Sequence, residues 1–296
     1  MVEMFLKSEC ELEGKEDLSW ALSSSCFAGN ERLVDFLIEE KGAKDWTSGI
    51  AGAFEGGNLQ LVLKMAEKGG EFDLENCFYF ACLSGSGELV EWVEKKVGGR
   101  LELDVLNSGL YGACKGGHIQ LANSLLERGA NDLESALCGA CRSGSLQLVE
   151  LIVEKGVQNI NSGFRSACFS ENKLLIEFMI EKGADDFEGG FEEACSKGNW
   201  QLAEFLSSKS SDCTNFDFES ALFLACEREE IQIAEKLMEE KGATVEKALE
   251  GFCLGGHFTL AEKMISKGVK RFASALKFAK EGGNRKLVEL IHSKIN

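Results

Sequence analysis

The chain is 296 residues long and carries 49 acidic against 32 basic side chains, giving a formal charge of −17 and a pI near 4.8. Phosphate backbones are held by basic stripes, so this balance argues against nucleic acid as a partner. No apolar run approaches the ~20 residues of a membrane-spanning helix, and the acid-bearing N-terminus Met-Val-Glu-Met-Phe-Leu-Lys-Ser-Glu lacks a signal-peptide layout, so a soluble intracellular, cytoplasmic protein with no membrane contact is expected.

Residues 1–15 precede the pattern that organises everything else; Val2 to Leu12 would form a short helix sealing its first unit, since terminal repeats need a cap. From residue 16 to 296 one unit recurs, and Asp132–Gly156 (DLESALCGACRSGSLQLVELIVEKG) shows it. With Cys141 as anchor, equivalent anchors stand at Cys26, Phe54, Cys82, Cys114, Cys168, Cys195, Cys226, Cys253 and Lys280. That makes ten units, spaced by 28, 28, 32, 27, 27, 27, 31, 27 and 27 residues. Seven residues after every anchor stands an aliphatic side chain, from Leu33 through Leu148 to Leu287. The chain is a tandem array.

Within the unit, Ala136, Leu137, Ala140 and Cys141 form one apolar set, and Leu148, Val149, Ile152 and Val153 a second. Each has the i, i+1, i+4, i+5 spacing of a helical face, and Ser143-Gly144-Ser145 between them supplies a turn. The spacing predicts a helix–turn–helix, with Asp132 or Asn131 capping the first helix and Lys155-Gly156 ending the second. The same Lys/Arg-Gly stop follows at Gly42, Gly69, Gly129, Gly183, Gly242 and Gly268. A hairpin this small cannot bury its stripe alone, so neighbours must stack on it. The predicted fold class is all-α, an elongated solenoid of about ten stacked hairpins. The absence of proline, against an average usage of about 5%, fits helix pairs joined by glycine turns.

Two intervals break the metre, one containing residues 97–107 and the other 207–217, and either could be a hairpin, a binding loop or a tolerated surface insertion. The last unit ends on its second helix, Lys286 to Asn296, and serves as the C-terminal cap.

Of the twelve cysteines, eight are anchors on the packed face of the first helix. Stacked helices lie ~8–10 Å apart, wider than the ~7 Å a disulfide allows between Cα atoms, so these are small core residues in a reducing compartment. Cys138-Gly-Ala-Cys141 has C-x-x-C form but lacks the second pair of a zinc site and the βαβ context of a redox site. His118 and His257 sit in the turn between helices, and His292 on the last helix. Neither a Gly-Lys-Ser/Thr loop nor a Gly-x-Ser-x-Gly is present. No catalytic constellation, cofactor site or metal site is read from these residues.

The run Ala113-Cys-Lys-Gly-Gly-His-Ile-Gln-Leu-Ala122, followed by Leu125-Leu-Glu-Arg-Gly-Ala130, closely resembles the ankyrin repeat, and Gly256-His257 echoes it. The resemblance covers about residues 16–296 and departs from the family pattern in two ways. The Thr-Pro-Leu-His start is missing, and most units have 27 or 28 residues rather than the family's 33, the deficit falling where an ankyrin repeat makes its β-hairpin. Hairpins would survive, if anywhere, in the two longer intervals. Short arrays of this kind look like those encoded by large DNA viruses of amoebae, which would place the protein in a host cytoplasm or a virion.

The resemblance also implies a protein partner on the concave face, at positions two before and one or two after each anchor. There the chain carries Phe80, Leu83, Lys115, Arg142, Phe169, Leu224, Glu227 and Arg228, with Gly52, Gly112, Gly139 and Gly251 at the earlier position of four units. Core positions repeat while these vary, as a non-repeating partner requires, and aromatics and arginine are the usual hot-spot types. The expected function is a non-enzymatic scaffold, monomeric unless built into a larger assembly. A structural component packing by its ends or edges is the alternative, and an enzyme using Cys138 and Cys141 the remote third.

Overall fold

A computed structural model describes residues 15–210 and 216–295, and twenty helices but no strand occur among them. The expected N-terminal capping helix, Val2 to Leu12, lies outside the described residues. The helices fall two to each sequence anchor, and nine of these pairs pack as hairpins. α1 (Lys15–Phe27) pairs with α2 (Glu31–Glu39), α3 (Trp46–Glu55) with α4 (Leu59–Glu67), and α5 (Leu74–Ser84) with α6 (Gly87–Lys96). α7 (Leu103–Gly116) pairs with α8 (Ile119–Glu127) and α9 (Leu133–Ser143) with α10 (Leu146–Glu154). These belong to a first compact unit ending at Gly163, and α11 (Asn161–Phe169) crosses the boundary. In the second, α12 (Lys173–Glu181) is followed by the pairs α13 (Phe187–Ser196) with α14 (Trp200–Lys209) and α15 (Phe218–Glu227) with α16 (Ile231–Glu240). Then come α17 (Val245–Leu254) with α18 (Phe258–Ser266), and α19 (Ala273–Glu281) with α20 (Arg285–Ile295). No helix among the described residues is long and apolar enough to cross a membrane.

In both units the first helices of successive pairs pack on one another: α1 on α3, α3 on α5, α5 on α7 and α7 on α9, then α13 on α15, α15 on α17 and α17 on α19. Nine of the ten anchors are buried, and Lys280 is exposed. Phe54 and the eight anchor cysteines are fully buried, as are Leu148 and Leu175 from the second helices. All ten described cysteines are free thiols.

Local chemistry sets the helix ends. Five first helices start at aspartates whose carboxylates accept from the amide three residues on: Asp45 from Ser48, Asp73 from Asn76, Asp132 from Ser135, Asp186 from Gly189 and Asp217 from Ser220, at 2.8–3.1 Å. In most second helices an Asn or Ser does the same for the recurring leucine, as Asn199 does for Leu202 at 3.0 Å. The stop glycines all take the left-handed conformation, with φ from 73° at Gly42 to 104° at Gly129, and the small residue after them turns inward, so that Ala43, Ala130 and Ala184 are buried.

The residue three after the anchor is also left-handed in all ten turns. Eight of those turns have glycine there; the other two have Glu171 (φ 56°) and Glu229 (φ 66°).

The linkers carry no β-hairpin among the described residues, and side chains hold them instead. In several repeats the residue seven before the anchor accepts from a backbone amide of the next linker: Thr47 from Glu71 (3.2 Å), Asn107 from Asn131 and Asp132 (2.7 and 3.0 Å), Glu188 from Asp217 (3.0 Å), Glu219 from Thr244 (2.9 Å). Among the described residues the longer intervals do not restore a hairpin either. After Gly98-Gly99 the extra residues of the first wind into α7, which has fourteen residues against eleven in α5 and α9. In the second, Ser207–Lys209 end α14, which has ten residues as α6 and α16 do, Phe216 is buried, and residues 211–215 lie outside the described set.

Candidate interaction surface

On each first helix the residues seven and three before the anchor and one after it are spaced by four, so they share a face. With a rise of ~1.5 Å per residue the outer two rows stand ~12 Å apart. In the first unit, α5, α7 and α9 place Glu75, Asn107 and Glu134 in the earliest row, Tyr79, Tyr111 and Cys138 in the middle, and Leu83, Lys115 and Arg142 in the last.

The middle and last rows form a continuous polar–aromatic platform. The rings of Tyr79 and Tyr111 stack at 5.7 Å and 16°, and Phe80 meets Tyr79 edge-on at 4.9 Å. The Lys115 ammonium donates to the Tyr79 hydroxyl at 3.0 Å and stands 5.7 and 5.8 Å from the two ring centres. That hydrogen bond is the largest influence holding the Lys115 pKa above its ordinary value, while Arg142 nearby pulls it down. From α9, Arg142 reaches the Tyr111 hydroxyl at 3.4 Å. Beside the platform a groove of about 390 Å³ is lined by Glu75, Asp104, Asn107, Ser108, Tyr111, Asp132 and Ser135.

In the second unit the face has another character. Arg165 lies 3.7 Å from both Glu192 and Glu193, and the Lys197 ammonium sits 3.7 Å above the Phe169 ring. Phe223 of α15 and Phe278 of α19 meet at 5.0 Å between ring centres. With Glu192, Ser220, Leu224 and Lys247 they enclose a pocket of about 300 Å³. Burial pushes the Glu192 carboxyl above its usual range, partly offset by Arg165.

The residues proposed from sequence therefore fall in two different settings. Phe80, Leu83, Lys115 and Arg142 belong to the first unit; Arg142 is exposed and the others half-buried. Phe169, Leu224, Glu227 and Arg228 belong to the second, with Arg228 exposed and the rest half-buried. The glycines two before the anchor do not face solvent. A Cβ on Gly112 would lie 2.4 Å from the Tyr79 carbonyl oxygen, one on Gly251 2.4 Å from that of Phe223, and one on Gly52 2.1 Å from that of Ser23. This position is the contact between successive first helices. The open row is the one three before the anchor, where Tyr79, Tyr111 and Phe223 stand, and it was missed; its four-residue spacing from Lys115 and Glu227 was the available signal.

Both turn histidines join their hairpin to the preceding first helix. Nε2 of His118 lies 3.0 Å from the Leu83 carbonyl oxygen, and Nε2 of His257 2.8 Å from that of Glu227. A carbonyl only accepts, so these nitrogens carry the proton. Cys138 donates from Sγ to the Ser162 carbonyl at 3.0 Å, whereas Cys141 is fully buried, so the pair does not present two accessible thiols.

No family model matches the chain, and no curated protein matches it. Among solved structures the chain is similar to the crystal structure of the human ASB11 ankyrin repeat domain, at 21% identity over 72% of this chain and 96% of that one, with a TM-score of 0.30. The all-helical hairpin repeat itself rests on the twenty helices, their caps and their left-handed turns.

Proposed function

We propose that the chain is a non-enzymatic scaffold that holds a protein partner on the open face of its first helices. The observation carrying this reading is the division of labour within each repeat. Anchor, cap and turn positions recur with the same chemistry, while the rows three before and one after the anchor change from Tyr79 and Lys115 to Phe223 and Glu227. A surface that varies on a frame that does not is suited to a partner without internal repetition. The platform in the first unit and the aromatic pocket in the second are each candidate contact sites. The many buried thiols and the acidic charge support a reducing, intracellular setting. Affinity capture from the native cell lysate, wild type beside F80A/K115E/R142E and beside F223A/L224A, tests the reading. A partner lost with either variant supports it; an identical set of partners with all three proteins overturns it.

A specific observation favours a second reading, that of an assembly component. α1 exposes Trp20 at 73% and Phe27 at 51%, an apolar face at the start of the described array where a second copy of the chain could pack. Light scattering of wild type against W20S decides it, since a monomer at all concentrations excludes self-assembly through that face.

A further inference from the structure

We propose that the platform on α5, α7 and α9 receives an acidic peptide segment of the partner, with a carboxylate lying between the Lys115 ammonium and the Arg142 guanidinium. This rests on the scaffold reading and specifies the chemistry of one of its contact sites.

Charge placement points to it first. The protein is strongly acidic, with a formal charge of −17, yet adjacent repeats put Lys115 and Arg142 at the same position, one after the anchor, where no other repeat has a cation. Arg142 is near enough for its charge to oppose the rise in the Lys115 pKa, so the two cations share one stretch of the face. The hydrogen bond of Lys115 goes to a phenol, the Tyr79 hydroxyl, and a phenol fixes the ammonium without neutralising it.

Preorganisation points to it second. Gly112 and Gly139 bring the backbones close, since a Cβ on either would stand 3.1 Å from the ring carbon Cδ2 of Tyr79 or Tyr111 respectively. That approach stacks the rings, and the stack carries both cations: Lys115 on Tyr79 at 3.0 Å and Arg142 on Tyr111 at 3.4 Å. A carboxylate arriving there meets donors already aimed, which lowers the cost of binding. Across Tyr111 the groove with Glu75, Asp104 and Asp132 is acidic, so it repels the same segment and confines its carboxylates to the cationic end.

The test exploits a composition fact: the chain has two tyrosines, and both are in the platform. Protein labelled with 3-fluorotyrosine gives two ¹⁹F resonances, each reporting on this site. The probe is blocked tetraglutamate, titrated at physiological salt, where a Debye length of about 8 Å screens the remote acidic surface. Both resonances are expected to shift saturably with tetraglutamate and to stay still with blocked tetraglutamine. Affinity should fall about tenfold or more in K115Q/R142Q and stay within about twofold of wild type in K115R, with helicity by circular dichroism unchanged in each. Any of three results overturns the proposal: no shift with tetraglutamate, an equal shift with tetraglutamine, or an equal shift with inorganic phosphate at the same concentration. A silent titration beside a partner that F80A/K115E/R142E loses would reject the acidic segment and leave the scaffold standing. Tetraglutamate binding beside unchanged lysate partners would do the reverse.

Discussion

Tyr79 and Tyr111 stack 5.7 Å apart because Gly112, one residue beyond Tyr111, lets α7 lie against the Tyr79 carbonyl of α5. A methyl group at Gly112 would stand 2.4 Å from that oxygen, a contact only backbone movement relieves. Gly112→Ala is expected to destabilise the protein by about 1–3 kcal/mol through overpacking and to part the two rings. Urea unfolding measures the first effect and the tyrosine ¹⁹F shifts the second; a variant as stable as wild type with unmoved shifts would show that the helices have room to spare.

Glu171 and Glu229 occupy left-handed turns that glycine fills in the other eight repeats. An L side chain in that conformation costs roughly 1–2 kcal/mol, and glycine returns part of the gain as unfolded-state entropy. Glu171→Gly and Glu229→Gly are each expected to stabilise the chain by about 0.5–1 kcal/mol. Thermal melts of the single and double variants check this, the double gain being the sum because the two turns lie in different hairpins.

Asp217 caps α15 through the Ser220 hydroxyl at 2.7 Å and amide at 3.0 Å, and these bonds hold its carboxyl below the ordinary 3.8. Asp45 does the same for α3, with the Ser48 amide as the larger cause. A carboxyl whose folded pKa is depressed contributes stability that is complete above its unfolded value and lost as pH falls through the lower, folded one. Asp217→Ala should therefore cost about 1 kcal/mol at neutral pH, and the gap to wild type should close progressively below about pH 4. Urea titrations across that range read it directly; a gap independent of pH would mean that the charged cap contributes nothing.

Nine of the ten described cysteines are buried, and Cys138 is the half-buried one. Burial pushes the thiols of Cys82, Cys114, Cys168, Cys195 and Cys226 up to about 12 and that of Cys26 to about 11, so the reactive thiolate is scarce. In a C10S/C213S background, native protein should give one rapid equivalent with a thiol reagent, at Cys138, and the remainder only on unfolding. Mass mapping of the labelled peptide identifies the site; fast labelling of Cys114 or Cys226 would mean that the first helices open readily.

The hairpins were legible because burial repeats itself: an anchor, a leucine seven later and a Lys/Arg-Gly stop mark where each helix must turn inward and end. Asp132 rather than Asn131 proved to be the cap, a difference of one residue that only geometry decides. The middle row of the open face was not legible. Periodicity shows that one side of a first helix is buried, but not how far around the neighbouring helix reaches. Here glycine at 112, 139 and 251 lets it reach one position further than in a looser stack. Tyr79 and Phe223, which the sequence reading did not single out, stand half-buried in the row beside that contact. The fate of residues 97–107 was hidden for another reason: Leu103-Asp-Val-Leu suits a helix as well as a loop, and its packing against the neighbouring first helices decides.

The side-chain links between hairpins bear on how such a gene can change length. Several hairpins contribute an acceptor for the linker that follows, as Asn107 does for Asp132 and Glu219 for Thr244, and these need only a backbone amide there. Every residue except proline supplies that amide, and this chain has no proline. One cassette of about 27 residues can then be duplicated or excised by recombination without orphaning a bond at the scar. Copy number becomes an inherited variable that selection can adjust separately from the face each copy displays.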